Sequence, residues 1–156
     1  MINTHLLSSL ARVFIICLFV NSLNVVYSQT PGTLYGSTGN TSNFLITIDP
    51  VTGTGTVIDS IYGTNGAVTE IEFREDGILF GTTGGGNAEV VTIDPLTGIS
   101  TLIGTHPFGA VNGLEFDNGG VLYGAFYNIN GGSTDLVTVD QATGALTSIG
   151  PMFPLY

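Results

Sequence analysis

Glu72 and Glu115 occupy matching places in two near copies of one stretch, Val68-Thr69-Glu70-Ile71-Glu72-Phe73 and Val111-Asn112-Gly113-Leu114-Glu115-Phe116, with Glu70 beside the first. Carboxylates that recur at equivalent places in neighbouring strands can gather around a hard cation such as Ca2+, and a cation so held can polarise a carbonyl for hydrolysis. The competing account is that both are partly solvated strand residues, because a metal-assisted site takes an asymmetric donor set and these two repeat. Asp49, Asp94 and Asp140 also recur, each opening an Asp-x-x-Thr-Gly stretch that closes on Gly53, Gly98 or Gly144. Such an Asp accepts backbone N–H bonds from the residues just ahead, and the Gly takes a left-handed conformation, so their shared position points to turn chemistry rather than metal binding.

Other groups with chemical potential lack company. His106, in Gly104-Thr105-His106-Pro107-Phe108, needs an orienting acid and a nearby nucleophile to act as a base, and no local motif supplies either. It reads as an ordinary loop residue connecting two repeats. No G-x-S-x-G or H-E-x-x-H motif is present, and Gly84-Gly85-Gly86 runs into Asn87-Ala88-Glu89 and a strand, which suits a hairpin rather than a phosphate cradle. No catalytic residue is therefore assigned. Tyr35, Phe80 and Tyr123 recur in register and suit packing, whereas Tyr62, Phe126 and Tyr127 do not recur and are candidates for a ligand or carbohydrate surface. Asn40-Thr41-Ser42 has the form of a glycosylation sequon.

The elements that position these groups follow from a repeat. The phrase Val91-Thr92-Ile93-Asp94-Pro95-Leu96-Thr97-Gly98 has counterparts at 46–53 and 137–144, a period of 45 to 46 residues that signals an array of β-sheet blades. Aligned copies give four short strands per unit, a to d. Strand a holds the glutamates, strand b carries Leu34-Tyr35-Gly36, Leu79-Phe80-Gly81 or Leu122-Tyr123-Gly124, strand c is the phrase itself, and strand d is Thr56-Val57-Ile58, Thr101-Leu102-Ile103 or Thr147-Ser148-Ile149. The b–c loops vary in length and are rich in Gly, Asn, Ser and Thr, as loops that carry specificity are. Along strand c, Ile46 and Ile48 face opposite to Leu45, Val91 and Ile93 opposite to Val90, and Val137 and Val139 opposite to Leu136. Both faces are apolar, which a sheet with one wet face does not need and a blade between two other blades does. The third turn, Asp140-Gln141, lacks the proline of the other two and is expected to be less rigid.

Val13 to Val20 forms an apolar run behind Arg12, the pattern of a cleaved secretory leader over 1–28, too short for a membrane span. The remaining 29–156 holds no cysteine, so no disulfide supports it. All 12 acids lie there against Arg74 as the single base, a balance that excludes nucleic acid as a natural partner. With 23 Gly, 43% hydrophobic residues, and Val, Ile, Thr, Phe and Tyr between the glycines, the composition is that of an all-β fold with many tight turns.

Leu-Tyr-Gly, Ile-Asp-Pro-x-Thr-Gly, Thr-x-Ile-Gly and Gly-Leu-Glu-Phe-Asp resemble the units of secreted bacterial β-propellers of the NHL, YVTN and quinoprotein-like type, over essentially Thr33 to Gly150. The resemblance implies four-stranded antiparallel blades, here about 2.75 of them in a β-propeller-like, incomplete array, against at least four for a closed ring. The units are expected near 33–63, 64–106 and 107–156. The expectation is a fragment of a longer open reading frame, with assembly of several chains into one ring as the other route. If strand a is innermost, Glu72 and Glu115 face a central channel, as channel acids do in metal-dependent propeller hydrolases. The expected role is a secreted or cell-surface module that binds a protein or a glycan without catalysis or serves a structural role. The alternative is a metal-dependent hydrolase or lactonase using Glu72 and Glu115 with Ca2+ as cofactor.

Overall fold

The computed structural model describes residues 32–39, 43–85 and 87–153. The expected leader helix over 1–28 and the Asn40 sequon lie outside them. Eleven strands run in order: β1 (Leu34–Ser37), β2 (Phe44–Ile48), β3 (Gly55–Ser60), β4 (Val68–Phe73), β5 (Leu79–Thr83), β6 (Asn87–Ile93), β7 (Ser100–Pro107), β8 (Gly109–Phe116), β9 (Leu122–Asn128), β10 (Ser133–Val139) and β11 (Leu146–Pro151). They form three antiparallel meanders, β1-β2-β3, β4-β5-β6-β7 and β8-β9-β10-β11. These are blades 1 to 3, in the strand pattern b-c-d, a-b-c-d and a-b-c-d that the repeat implies. Among the described residues there is no helix.

Each c–d hairpin is built alike. Asp49 Oδ1 accepts N–H bonds from Val51 (2.8 Å) and Thr52 (3.1 Å), Asp94 Oδ1 accepts one from Leu96 (2.8 Å), and Asp140 Oδ1 accepts from Ala142 (3.0 Å) and Thr143 (2.8 Å). Gly53, Gly98 and Gly144 close the turns at φ 72°, 68° and 70°, where a Cβ is disfavoured. Beyond the turn every c–d pair carries a β-bulge at the same place, between Leu45 and Ile46, Val90 and Val91, and Leu136 and Val137. One extra residue on the outer strand twists each blade in the same way.

The core lies between blades. Leu45 and Ile61 of the first unit pack with Val68, Leu79, Val91 and Ile93 of blade 2. A second cluster joins Phe80 and Val90 of blade 2 to Val111, Leu114, Leu122, Val137 and Val139 of blade 3. Adjacent residues of β6, Val90 and Val91, thus serve different clusters, and both are fully buried. Blade 2 is sandwiched, as its two-faced apolar strands require.

Two local expectations are corrected. His106 is not in a loop: β7 continues to Pro107, pairing Asn87 with Pro107 and Ala88 with His106. The connection to blade 3 shrinks to Phe108, which turns the chain at φ 65°. The third c–d turn is not the least restrained either. Where the others have proline, Gln141 donates from Nε2 to the Gly120 carbonyl (2.7 Å) and accepts at Oε1 from Arg74 Nη1 (2.8 Å). Thr143 adds a hydroxyl bond to Asp140 (2.8 Å).

Candidate functional site: inner-strand acids and loop-end aromatics

Antiparallel order sends the a–b and c–d turns to one end of the blades and the b–c and d–a connections to the other. At the turn end the polar side chains are engaged in structure. Thr143's hydroxyl and the N–H groups of Thr143 and Ala142 hold Asp140 below the usual aspartate range, and the N–H groups of Val51 and Thr52 do the same for Asp49. Arg74 bonds Asp76 through two nitrogens, Nη2 at 2.8 Å and Nε at 2.9 Å, and lies 5.5 Å from the Phe80 ring centre. These bonds depress the Asp76 carboxyl and raise Arg74. A cleft of about 690 Å³ opens here between the a–b turns of blades 2 and 3, bounded by Phe73, Arg74, Phe116 and Asp117. A groove of about 750 Å³ on blade 2 is lined largely by Ile78, Leu79, Ile93, Pro95 and Ile99.

Glu72 and Glu115 lie on β4 and β8, the inner strands of blades 2 and 3, paired in register with Phe80 and Tyr123. Glu72 is half-buried and Glu115 exposed. Burial raises the Glu72 carboxyl first, and the Glu115 charge adds to the rise. The two candidates are thus brought within electrostatic range of each other. Among the described residues no group of three or more His, Cys, Asp or Glu forms a metal-ligand cluster.

The loop end shows what the sequence concealed. Glu89 is 2% exposed, and its carboxylate accepts both the backbone N–H (2.8 Å) and side-chain amide (2.5 Å) of Asn65 in the blade 1–blade 2 connection. Asn43, at φ 35°, accepts from the Val68 N–H (2.9 Å) and donates to the Ile61 carbonyl (3.1 Å), joining a b–c loop to the entry of β4. Thr82, fully buried, donates from its hydroxyl to the Val111 carbonyl across the blade 2–blade 3 junction (3.0 Å). A carboxylate set between the apolar Ala88 and Val90 is the one signal in the sequence that points to such a network. His106 Nε2 meets the Gly144 carbonyl at 2.6 Å, as the donor because a carbonyl only accepts.

The three aromatic candidates do not share one surface. Tyr62 stands at the blade 1–blade 2 junction, where its N–H donates to the Gly98 carbonyl (3.1 Å) and its hydroxyl reaches Asp59 (3.4 Å). Phe126 packs against the blade 2–blade 3 cluster and lies edge-on to His106, 6.4 Å between ring centres. Tyr127, next along β9, points to the other side and is exposed. The residue that sequence reasoning missed is Phe108. It is 60% exposed, and its carbonyl accepts the N–H of Ile129 (2.9 Å), itself exposed in the β9–β10 loop. A bulky residue at positive φ costs about 1 to 2 kcal/mol, so this one-residue turn carries strain, and its aromatic ring stands in water.

No family model and no curated protein matches the chain. Among solved structures it is similar to a candidate 6-phosphogluconolactonase from Bacteroides fragilis, at 21% identity and TM-score 0.40, covering 69% of this chain and 32% of that one. A second, from Bacteroides uniformis, is 18% identical at TM-score 0.42, covering 72% of this chain and 36% of the other. The chain spans about a third of the length of these proteins. The class that the fold itself defines is an all-β array of propeller-like antiparallel blades.

Proposed function

We propose that the chain is part of a secreted or cell-surface β-propeller module with a non-catalytic binding role, and that it offers the loop end of blade 3 to a protein or a glycan. The observation that carries this reading is Phe108, an exposed aromatic held in a strained turn beside exposed Ile129, with Tyr127 on the adjoining strand also exposed. Exposed, rigidly held aromatics stack on sugar faces and anchor protein contacts with little loss of side-chain freedom. Nearby polar side chains bond to the fold, His106 to the Gly144 carbonyl and Glu89 to Asn65, and at the opposite end of the blades Asp49, Asp94 and Asp140 bond to their own turns. Secretion rests on the apolar run from Val13 to Val20 behind Arg12. A glycan array probed with the purified chain and with a Phe108→Ala/Ile129→Ser variant tests the reading. Binding to a glycan class that the variant loses supports it, whereas equal binding by both places the site elsewhere.

A metal-dependent hydrolase or lactonase is the second reading, and the proximity of Glu72 and Glu115 is what favours it. Carboxylates whose charges repel each other gain from a shared divalent cation. Titration of Ca2+ against thermal unfolding is its test: a rise in Tm that Glu72→Gln abolishes supports a cation there, and an unchanged Tm removes the reading's only motif.

A further inference from the structure

Four Asn-Gly pairs lie among the described residues: Asn65-Gly66, Asn112-Gly113, Asn118-Gly119 and Asn130-Gly131. In such a pair the glycine nitrogen is able to attack the asparagine side chain, because the second residue has no Cβ to block the approach. Bonds that hold the glycine N–H or the asparagine amide in the fold oppose that attack. The reacting groups are the same in all four pairs, so the fold ranks them.

Three of the pairs are held. Asn65 gives its backbone N–H (2.8 Å) and its side-chain amide (2.5 Å) to the buried Glu89 carboxylate, and a Cβ on Gly66 would lie 3.3 Å from the Gly84 carbonyl oxygen. Gly119 gives its N–H to Asp117 Oδ1 (2.9 Å), which also takes the Val121 N–H (2.8 Å). Gly131 gives its N–H to Asn128 Oδ1 at 3.3 Å, a longer and weaker bond, in a loop closed by the Gly132 N–H on the Asn128 carbonyl (2.8 Å). Asn112-Gly113 differs. The β8–β9 register slips between Val111↔Phe126 and Leu114↔Gly124, and neither Asn112 nor Gly113 has a partner in that ladder, as at a bulge. Both are exposed, Gly113 stands at φ 84°, and nothing among the described residues lies within 4 Å of a Cβ position on it.

We propose that Asn112 is a site of spontaneous modification, converting to aspartate and isoaspartate in the folded protein ahead of the other three asparagines. The Gly113 nitrogen, once its proton has passed to water, attacks Asn112 Cγ; the N–Cγ bond forms, the Cγ–Nδ2 bond breaks, and the amide leaves as ammonia. Water then opens the cyclic imide at one carbonyl or the other, which gives aspartate or isoaspartate. Each product replaces a neutral amide with a carboxylate on the inner strand that also carries Glu115. Isoaspartate further lengthens the backbone by a methylene beside Val111, whose carbonyl takes the Thr82 hydroxyl across the junction with blade 2.

Incubation of the purified chain in mildly alkaline buffer, followed by cleavage at aromatic residues and mass spectrometry, tests this, since that cleavage puts the four pairs on separate peptides. Breaking a hydrogen bond to a charged carboxylate slows attack by about tenfold or more, so Asn112 is expected to change from amide to acid ahead of Asn65 and Asn118 by that factor, and ahead of Asn130 by less. Anion exchange is expected to show a more acidic species growing with time, and an Asn112→Ser variant is expected to lack that early species. The same incubation in concentrated urea is expected to bring the four rates together, which assigns the order to the fold and not to neighbouring sequence. Asn65 or Asn118 reacting as fast as Asn112 in the folded chain, or an order that persists in urea, overturns the proposal.

Discussion

Gly53, Gly98 and Gly144 offer a comparison in which backbone strain is constant and only blade contact varies. All three close the same turn at φ between 68° and 72°. Alanine at any of them forces a Cβ into the left-handed region, at about 1 to 2 kcal/mol. At Gly53 nothing among the described residues lies within 4 Å of the new methyl, so that cost is the whole effect. At Gly98 the methyl strikes the Ser60 carbonyl, and relief requires the turn to move away from blade 1. Moving it breaks the bonds from Tyr62 N–H to the Gly98 carbonyl and from the Ser100 N–H and hydroxyl to the Tyr62 carbonyl. At about 1 kcal/mol each, these add roughly 3 kcal/mol. Gly98→Ala is therefore expected to cost about 4 to 5 kcal/mol, against about 1 to 2 for Gly53→Ala, with Gly144→Ala between them at about 2 to 3 because the bond from His106 Nε2 to the Gly144 carbonyl is at stake there. Urea unfolding followed by far-UV circular dichroism measures the difference. Equal losses at Gly53 and Gly98 would refute the claim that these turns dock on the neighbouring blade.

Three further outcomes follow from the same junctions. Phe80→Ala, emptying a fully buried site that also lies edge-on to Phe116, is expected to lower stability by about 3 to 5 kcal/mol in urea unfolding. Thr82→Val keeps the shape of a buried side chain but orphans the Val111 carbonyl, and is expected to cost about 1 to 3 kcal/mol by the same assay. Glu72 binds its proton more tightly folded than unfolded, so its contribution falls as pH rises from the ordinary glutamate range through its raised folded value. Glu72→Gln is thus expected to raise Tm at neutral pH and to change it little in acid, below the glutamate range. Asp49, Asp76 and Asp140 have the opposite sign: with lowered values, they stabilise above the aspartate range and lose that contribution as pH falls through it.

Much of the fold was legible because the information repeats. Asp, Thr and Gly at fixed offsets specify the c–d turn locally, and alternation along strand c specifies two buried faces, so strand order and blade count follow from 46–53, 91–98 and 137–144. The errors fell where one residue's role depends on another blade. Gln141 looked like a lost proline because Arg74 and Gly120, its partners, are distant in sequence. His106 reads as a loop residue because it lies between two repeats, yet the outer strand β7 continues through it to Pro107, where a missing N–H is tolerated. The site was less legible than the fold. Glu72 and Glu115 were found through repetition, but Phe108, Glu89 and Asn43 occur once each, and only the folded chain shows what they touch. Tyr62 and Phe126 were singled out by failing to repeat, and both contact neighbouring blades.

Side-by-side stacking of the blades is most directly tested by methyl NOEs from Val90 and Val91. These adjacent valines lie on opposite faces of β6. Val90 is expected to show contacts to the blade 3 set that includes Val111, Leu122 and Val137, and Val91 to the set that includes Leu45 and Ile61. If both valines report the same neighbours, or one of them faces water, the sheets are not stacked as blades and the account fails.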